Sequence, residues 1–172
     1  MQTTIPALDY QDLDNLLSEQ DWEAADRLSA DLLRQAVSPD QPVDLDLAAI
    51  AHLPCNDLHR LDQLWTHYSG QRFGFSVQQQ IYTALECDAV QFSHEVGWTP
   101  WTFRPFAFFR FYHQLDFSLE APRGQFPAFW FWQLPLNGSL LAGGFGSGRG
   151  AGYVDAKKLD ALILRLERCS LQ

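Results

Sequence analysis

Three groups of residues have the types and spacing that chemistry asks for. His52, Cys55 and His59 stand at steps of three and four, the spacing of metal ligands along one helical face. Pro54 interrupts that run and no fourth ligand stands beside it, so structural packing is the reading the pattern supports. Cys87 follows Glu86 at a helix end with no histidine near it in sequence, the setting of an isolated thiol. The run from Gly143 to Gly150, GGFGSGRG, imitates a phosphate-binding loop, and Gly146-x-Gly148-x-x-Ala151 imitates the dinucleotide fingerprint. No βαβ pattern surrounds it and no Lys-Ser/Thr follows. It reads instead as a mobile loop, a lid over a ligand, with Arg149 at its tip to meet an anion. The acids at positions 9, 12, 14, 19, 21, 23, 26 and 31 are scattered around helices as a solvated face. They form no carboxylate pair suited to general acid–base work, and no catalytic constellation emerges. A non-enzyme is expected.

The remaining feature is aromatic. The chain has 172 residues and 24 aromatic side chains, of which 13 fall within residues 101–132, interleaved with Arg104, Arg110 and Arg123. Aromatic walls with a few cations at the rim suit a flat, apolar, anionic ligand. A small domain also needs such side chains simply for its core, and at this level both readings stand. Charge runs the other way along the chain. Residues 1–62 hold 13 acids and 3 bases, whereas residues 63–172 hold 8 acids and 9 bases. The net charge of −9 argues against binding nucleic acid through overall electrostatics. A hydrophobic content of 47% excludes a disordered tail. Cys55, Cys87 and Cys169 are too few and too far apart for a disulfide scaffold, and an odd cysteine count with no signal-peptide pattern in MQTTIPALDY fits a reducing cytoplasm. Residues 124–148 are uncharged, but Pro127, Pro135, Asn137 and several glycines break them, which disfavours a membrane-spanning helix.

The elements that must position these residues are mostly helical. Asp9 is placed to cap a helix bearing Leu13, Leu16 and Leu17, and Asp21 a second bearing Trp22, Ala25, Leu28, Leu32 and Ala36, ended by Ser38-Pro39. Asp44 opens a third with Leu47, Ile50 and Ala51 inward. Asn56 or Asp57 caps a longer one carrying Leu58, Leu61, Leu64, Trp65 and Tyr68, stopped at Gly70. Ser76 begins another with Val77, Ile81 and Leu85 in line, and short loops between such helices predict a small antiparallel bundle. After Gly97 the pattern becomes irregular. Gln114 to Leu119 alternates with period two, as a short strand or extended segment would, and a last helix from about Asp155 carries Leu159, Leu162, Ile163 and Leu166.

The stretch Phe73-Gly74-Phe75-Ser76-Val77-Gln78, preceded by Leu61-Asp62-Gln63-Leu64-Trp65 and Tyr68-Ser69, resembles the genomes-uncoupled-four family of tetrapyrrole-binding proteins. Asp9-Tyr10 with Leu16-Leu17, Trp22 with Ala25-Asp26, and Leu53-Pro54-Cys55 with Asp57-Leu58 also look like family positions. So do Val96-Gly97-Trp98 and Phe117-x-Leu119-x-Ala121-Pro122-x-Gly124, which carries the likeness over about residues 9–125. Residues 126–172, with Phe129-Trp130-Phe131-Trp132 and the glycine-rich loop, depart from it.

The resemblance implies one mainly α domain over residues 1–172: a compact helical bundle, a cupped-hand core, with an irregular, partly extended, aromatic-rich C-terminal half. Its apolar palm would hold protoporphyrin or Mg-protoporphyrin, with a linear bilin as the alternative ligand. By matched position the palm would comprise Leu64, Phe73, Phe75, Val77, Ile81 and Trp98, with Arg72 meeting a ligand carboxylate. Trp101, Phe103, Arg104, Phe106, Arg110 and Arg123 are placed at the site by position alone. The implied function is that of a non-catalytic porphyrin carrier that activates magnesium chelatase in chlorophyll biosynthesis through its large porphyrin-binding subunit. The alternatives are a bilin-binding paralogue that senses or stores pigment, and a protein- or membrane-interaction module. A monomer in a cyanobacterial-type cytoplasm, with peripheral thylakoid contact, completes the expectation.

Overall fold

Apolar spacing along the front of the chain becomes a packed set of helices. The computed structural model describes residues 8–39, 41, 43–100, 102–103, 106–107, 109–133 and 156–170, with 102, 103, 106 and 107 described as backbone. Helix α1 (Gln11–Ser18) buries Leu13 and Leu17 against α2 (Trp22–Val37), and Asp9 accepts from the Gln11 N–H just ahead of it. Asp21 caps α2 by accepting from the Ala24 N–H at 3.1 Å, and the buried face of α2 runs through Trp22, Ala25, Asp26, Ser29, Leu32 and Leu33. Helix α3 (Leu47–Ala51) is capped by Asp46, two residues later than the expected Asp44.

Helix α4 (Cys55–Tyr68) starts directly after Pro54 with no side-chain cap, so Asn56 and Asp57 lie inside it. Asp57 instead accepts from the Tyr10 hydroxyl and ties α4 to the chain entering α1. The Tyr68 hydroxyl donates to Asp14 at 2.9 Å, and the Trp65 indole donates to Ser29 Oγ at 2.9 Å, so α4 is bonded to both α1 and α2.

Helix α5 (Phe75–Ala84) begins one residue before the expected Ser76 because Gly74 makes the turn at φ +138°. Asp62, on α4, supplies its cap by accepting from the Ser76 N–H at 2.8 Å. A Cβ on Gly74 would lie 2.7 Å from Thr66 Cγ2 and 2.8 Å from Asp62 Oδ1. Gly74→Ala is therefore expected to lose about 2–4 kcal/mol, since backbone strain and overlap act together. Urea unfolding measures it, and a loss under about 0.5 kcal/mol would mean that the junction relaxes freely.

Helix α6 (Ala89–Glu95), which the sequence reading leaves unassigned, is capped by Asp88 accepting from the Val90 and Gln91 N–H groups. Helix α8 (Ala156–Arg168) buries Leu159, Leu162, Ile163 and Leu166 as expected and packs on α3, α5 and α6. In the chain order α7 is the single turn Phe129–Trp132, packed on α2.

Paired strands lie outside the alternating segment from Gln114 to Leu119. Tyr112–Gln114 forms a 3₁₀ turn and no strand occupies residues 114–119, because the alternating segment has no partner strand among the described residues. Its polar groups are met by side chains, as when Gln125 donates to the Asp116 carbonyl at 2.9 Å. Strands β1 (Thr102–Phe103) and β2 (Phe106–Ala107) form an antiparallel hairpin in which Thr102 faces Ala107 and Phe103 faces Phe106. The Arg110 N–H closes its base on the Trp98 carbonyl at 2.9 Å.

The cysteine expectation is corrected. Cys55 and Cys169 are joined as a disulfide with Cα atoms 5.2 Å apart, while Cys87 is free and exposed. A separation of 114 residues hides the pairing in sequence, and the meeting of the two helix ends creates it.

Candidate functional site

The loop 120–125 gathers the candidate residues. Arg72 holds it from one side, donating through Nε to the Ala121 carbonyl at 2.8 Å and through Nη2 to the Glu120 carbonyl at 3.1 Å. The Gly124 N–H returns a bond to the Arg72 carbonyl at 2.9 Å. Gln78, buried on α5, donates to the Gly124 and Pro127 carbonyls at 3.0 and 2.9 Å. Gly124 at φ +79° lies so close to α5 that a Cβ there would stand 2.6 Å from Ile81 Cδ1. Exposed Arg123 donates to Gln80 Oε1 at 2.8 Å. On the other side the Trp98 indole donates to the Gln125 carbonyl at 2.8 Å, and the Trp132 indole donates to the Arg110 carbonyl at 3.2 Å. Arg72, Ile81, Trp98, Arg110 and Arg123 are thus brought together around one loop and the base of one hairpin.

The other expected residues separate from that group. Leu64, Phe73, Phe75 and Val77 are core residues, Phe73 and Phe75 being 0% exposed. Phe73 meets Trp22, Trp65 and Phe126 edge-on at ring-centroid distances of 5.6, 6.3 and 5.3 Å. Trp98 is equally buried, stacked on Phe131 at 5.1 Å. Phe103 and Phe106 sit opposite each other on the hairpin backbone. Trp101, Arg104 and the glycine-rich loop with Arg149 lie outside the described residues.

One acid of the expected solvated face, Asp26, is instead a buried carboxylate that ties α2 to Tyr112 and to the start of α7. Asp26 is 0% exposed on α2. It accepts from the Ala128 N–H at 2.7 Å, from the Phe129 N–H at 3.0 Å and from the Tyr112 hydroxyl at 2.9 Å. The Arg27 guanidinium lies 4.7 Å from the ring centres of both Tyr112 and Phe129. Burial pushes Asp26 up to about 7, against the opposing pull of the Ala128 and Phe129 N–H groups, Tyr112 and Arg27. Burial, then the Asp26 charge and the hydrogen bond to it, drives the Tyr112 hydroxyl upward. The available signal was an acid inside the apolar stripe Trp22, Ala25, Ser29, Leu32 of α2.

His52, Cys55 and His59 do not converge on a point. His52 Nδ1 pairs with the Ala48 carbonyl at 2.7 Å, His59 Nε2 pairs with the Cys169 carbonyl at 2.8 Å, and Cys55 is in the disulfide. Among the described residues no group of three His, Cys, Asp or Glu side chains is arranged to hold a metal ion. A cleft of about 740 Å³ opens between Tyr10, Ala36, Pro39, Pro54, Asp57 and Arg60, and none of the expected ligand residues lines it. Among the described residues no helix is long and apolar enough to cross a membrane.

This helical core is the fold of two solved GUN4 structures. The ligand-free structure of Arabidopsis thaliana GUN4 superposes with a TM-score of 0.63 at 24% identity, over 94% of this chain and 95% of that one. GUN4 from Chlamydomonas reinhardtii gives 0.64 at 20% identity, over 95% and 92%. A family model described as GUN4-like matches residues 4–140, and the chain belongs to that family. The resemblance read from Phe73 to Gln78 and its flanks is thereby established.

Among its relatives, the ycf53 protein of Porphyra purpurea is 40% identical over 93 residues, 53% of this chain and 39% of that one. The Ycf53-like protein of Synechocystis is 31% identical over 125 residues, 70% and 51% of the two chains. A chloroplastic tetrapyrrole-binding protein of Arabidopsis thaliana is 32% identical over 89 residues, 50% and 33%. The chain spans about half or less of the length of these curated relatives.

Proposed function

We propose that this domain binds a tetrapyrrole without transforming it, carries porphyrin, and activates magnesium chelatase through that enzyme's large porphyrin-binding subunit. Membership of the GUN4-like family carries the reading, and the Arabidopsis relative bears the name of a tetrapyrrole-binding protein. The arrangement supports it physically. A hairpin with Phe103 and Phe106 springs from Trp98 and Arg110 beside Ile81 and the exposed Arg123. In this reading the hairpin, with Trp101, Arg104, Phe103 and Phe106, covers one face of the macrocycle. Arg110 and Arg123 meet propionates at its edge. Arg72 acts by holding loop 120–121, and the buried Leu64, Phe73, Phe75, Val77 and Trp98 keep the apolar support rigid. A macrocycle that loses a few hundred Å² of apolar surface to such walls, at about 25 cal/mol per Å², reaches micromolar affinity after ordering costs.

The working form in this reading is a monomer in a cyanobacterial-type cytoplasm, touching the thylakoid only peripherally. Protoporphyrin or its magnesium derivative is the ligand, and preference for a linear bilin would instead mark a pigment store. Arg123→Gln is expected to weaken porphyrin binding about 2- to 5-fold, the effect of one exposed ion pair, with no change in thermal unfolding. Magnesium chelatase assayed with and without the chain tests activation: a raised rate is expected. Porphyrin binding with an unchanged rate would overturn the activator role and leave the carrier.

A further inference from the structure

Three attachments converge where α8 ends. The disulfide joins Cys55, the first residue of α4, to Cys169, the residue after α8. His59 Nε2 pairs with the Cys169 carbonyl at 2.8 Å, and Arg165 Nε donates to the Leu53 carbonyl at 2.7 Å. Helix α8 carries this anchorage to the rest of the molecule, because it packs on α3, α5 and α6 and because the Tyr82 hydroxyl of α5 donates to Asp160 at 2.7 Å. The C-terminal helix is therefore a strut, covalently pinned at its C-terminal end to α4, packed on α5 and hydrogen-bonded to it at Asp160.

We propose that the Cys55–Cys169 bridge is a redox-operated staple, opened by a dithiol reductant, that sets how firmly α8 braces α5. The inference rests on the cytoplasmic setting proposed above, since in a reducing compartment such bridges are made and broken rather than permanent. Cys55 is only half-buried, whereas Cys169 is 7% exposed, so Cys55 Sγ is the sulfur that an incoming thiolate reaches. That attack forms a mixed disulfide on Cys55, breaks the Cys55–Cys169 bond, and releases Cys169 as a thiolate that takes up a proton. The second thiol of the reductant then attacks its own partner sulfur and expels Cys55 as a thiolate, which protonates in turn. The protein gains two electrons and two protons, and the dithiol is oxidised to its disulfide. Reduction leaves His59 and Arg165 as the remaining ties at that end of α8. The inference does not depend on the ligand of the neighbouring site.

The test uses the full chain carrying Cys87→Ser, which removes the exposed third thiol and leaves only the pair in question. Equilibration across ratios of reduced to oxidised dithiothreitol, followed by alkylation and intact mass, is expected to show a single step from no alkylated cysteine to both. The reduced form is expected to melt about 5–15 °C lower, the range for losing a long-range crosslink in a domain of this size. Hydrogen exchange should speed up in residues 156–168 and not in α1 or α2, and reoxidation should restore both readouts. The Cys55→Ser, Cys169→Ser double variant should match the reduced protein and ignore dithiothreitol, which keeps the test open if the reduced chain precipitates. Alkylation of both cysteines before any reductant is added would overturn the proposal. So would reduction that leaves melting and α8 exchange unmoved, or a bridge that opens only after the chain has unfolded.

Discussion

Asp26→Ala is expected to melt about 10 °C below the parent protein. The substitution leaves the Tyr112 hydroxyl and the Ala128 and Phe129 N–H groups buried without their acceptor. Each orphaned group costs about 1–3 kcal/mol, partly offset because a charge no longer has to be buried, and a net loss of about 3–5 kcal/mol results. At about 2–4 °C per kcal/mol for a chain of this length, that is the stated fall. Asp26→Asn keeps an oxygen for the two N–H groups and loses less, but it removes the titration. The folded carboxyl sits at about 7 against an ordinary 3.8, so the native state holds this proton more tightly than the unfolded chain. The stabilisation is complete below about pH 4, declines as pH rises through 7, and is absent above, on the order of 4 kcal/mol in all. Urea unfolding at pH 5 and pH 8 checks the sign: the advantage of the parent over Asp26→Asn should shrink at the higher pH. An advantage that is constant or grows would contradict it.

Phe73→Ala comes next in size, with an expected loss of about 3–5 kcal/mol. Its ring is packed edge-on to Trp22, Trp65 and Phe126 and exposes nothing to solvent, so truncation opens a cavity in the aromatic core. The urea midpoint and the near-ultraviolet tryptophan signal should both fall. The resemblance alone implies the opposite, a ring facing the ligand whose removal weakens binding and spares the fold. A variant with stability within about 0.5 kcal/mol of the parent and weakened porphyrin binding would restore that ligand-facing role.

The contrast between these residues explains what could be read without a structure. Helices α2 and α8 were legible because each has an apolar stripe of two turns or more, Trp22 to Leu33 and Leu159 to Leu166, and α2 opens on an aspartate cap. Helix α6 offers only Ala89, Phe92 and Ser93 to the core over 7 residues, too short a stripe to stand out. The alternation from Gln114 to Leu119 imitated a strand because period two describes any extended chain, while pairing depends on a neighbour the segment does not have among the described residues. The hairpin Thr102–Ala107 was obscured by phenylalanine density that fits several conformations. Of the candidate site, Arg72, Ile81, Trp98, Arg110 and Arg123 share one neighbourhood, whereas Phe73, Phe75, Leu64 and Val77 serve the core. Residue type cannot separate those two fates, since a palm and a core require the same side chains. The partners of Asp26 and the Cys55–Cys169 bridge were illegible for a plainer reason: they lie about a hundred residues away, at separations of 102 and 114, and only the place of Asp26 in an apolar stripe could be seen.

The central claim is that this domain holds a tetrapyrrole, and titration of the intact chain with protoporphyrin tests it most directly. Tryptophan fluorescence and the Soret band are followed together, with a linear bilin as the parallel ligand. The account predicts saturable quenching and a shifted Soret band at one porphyrin per chain, with a Kd of about 1 μM or below. No saturable change with either pigment would contradict it.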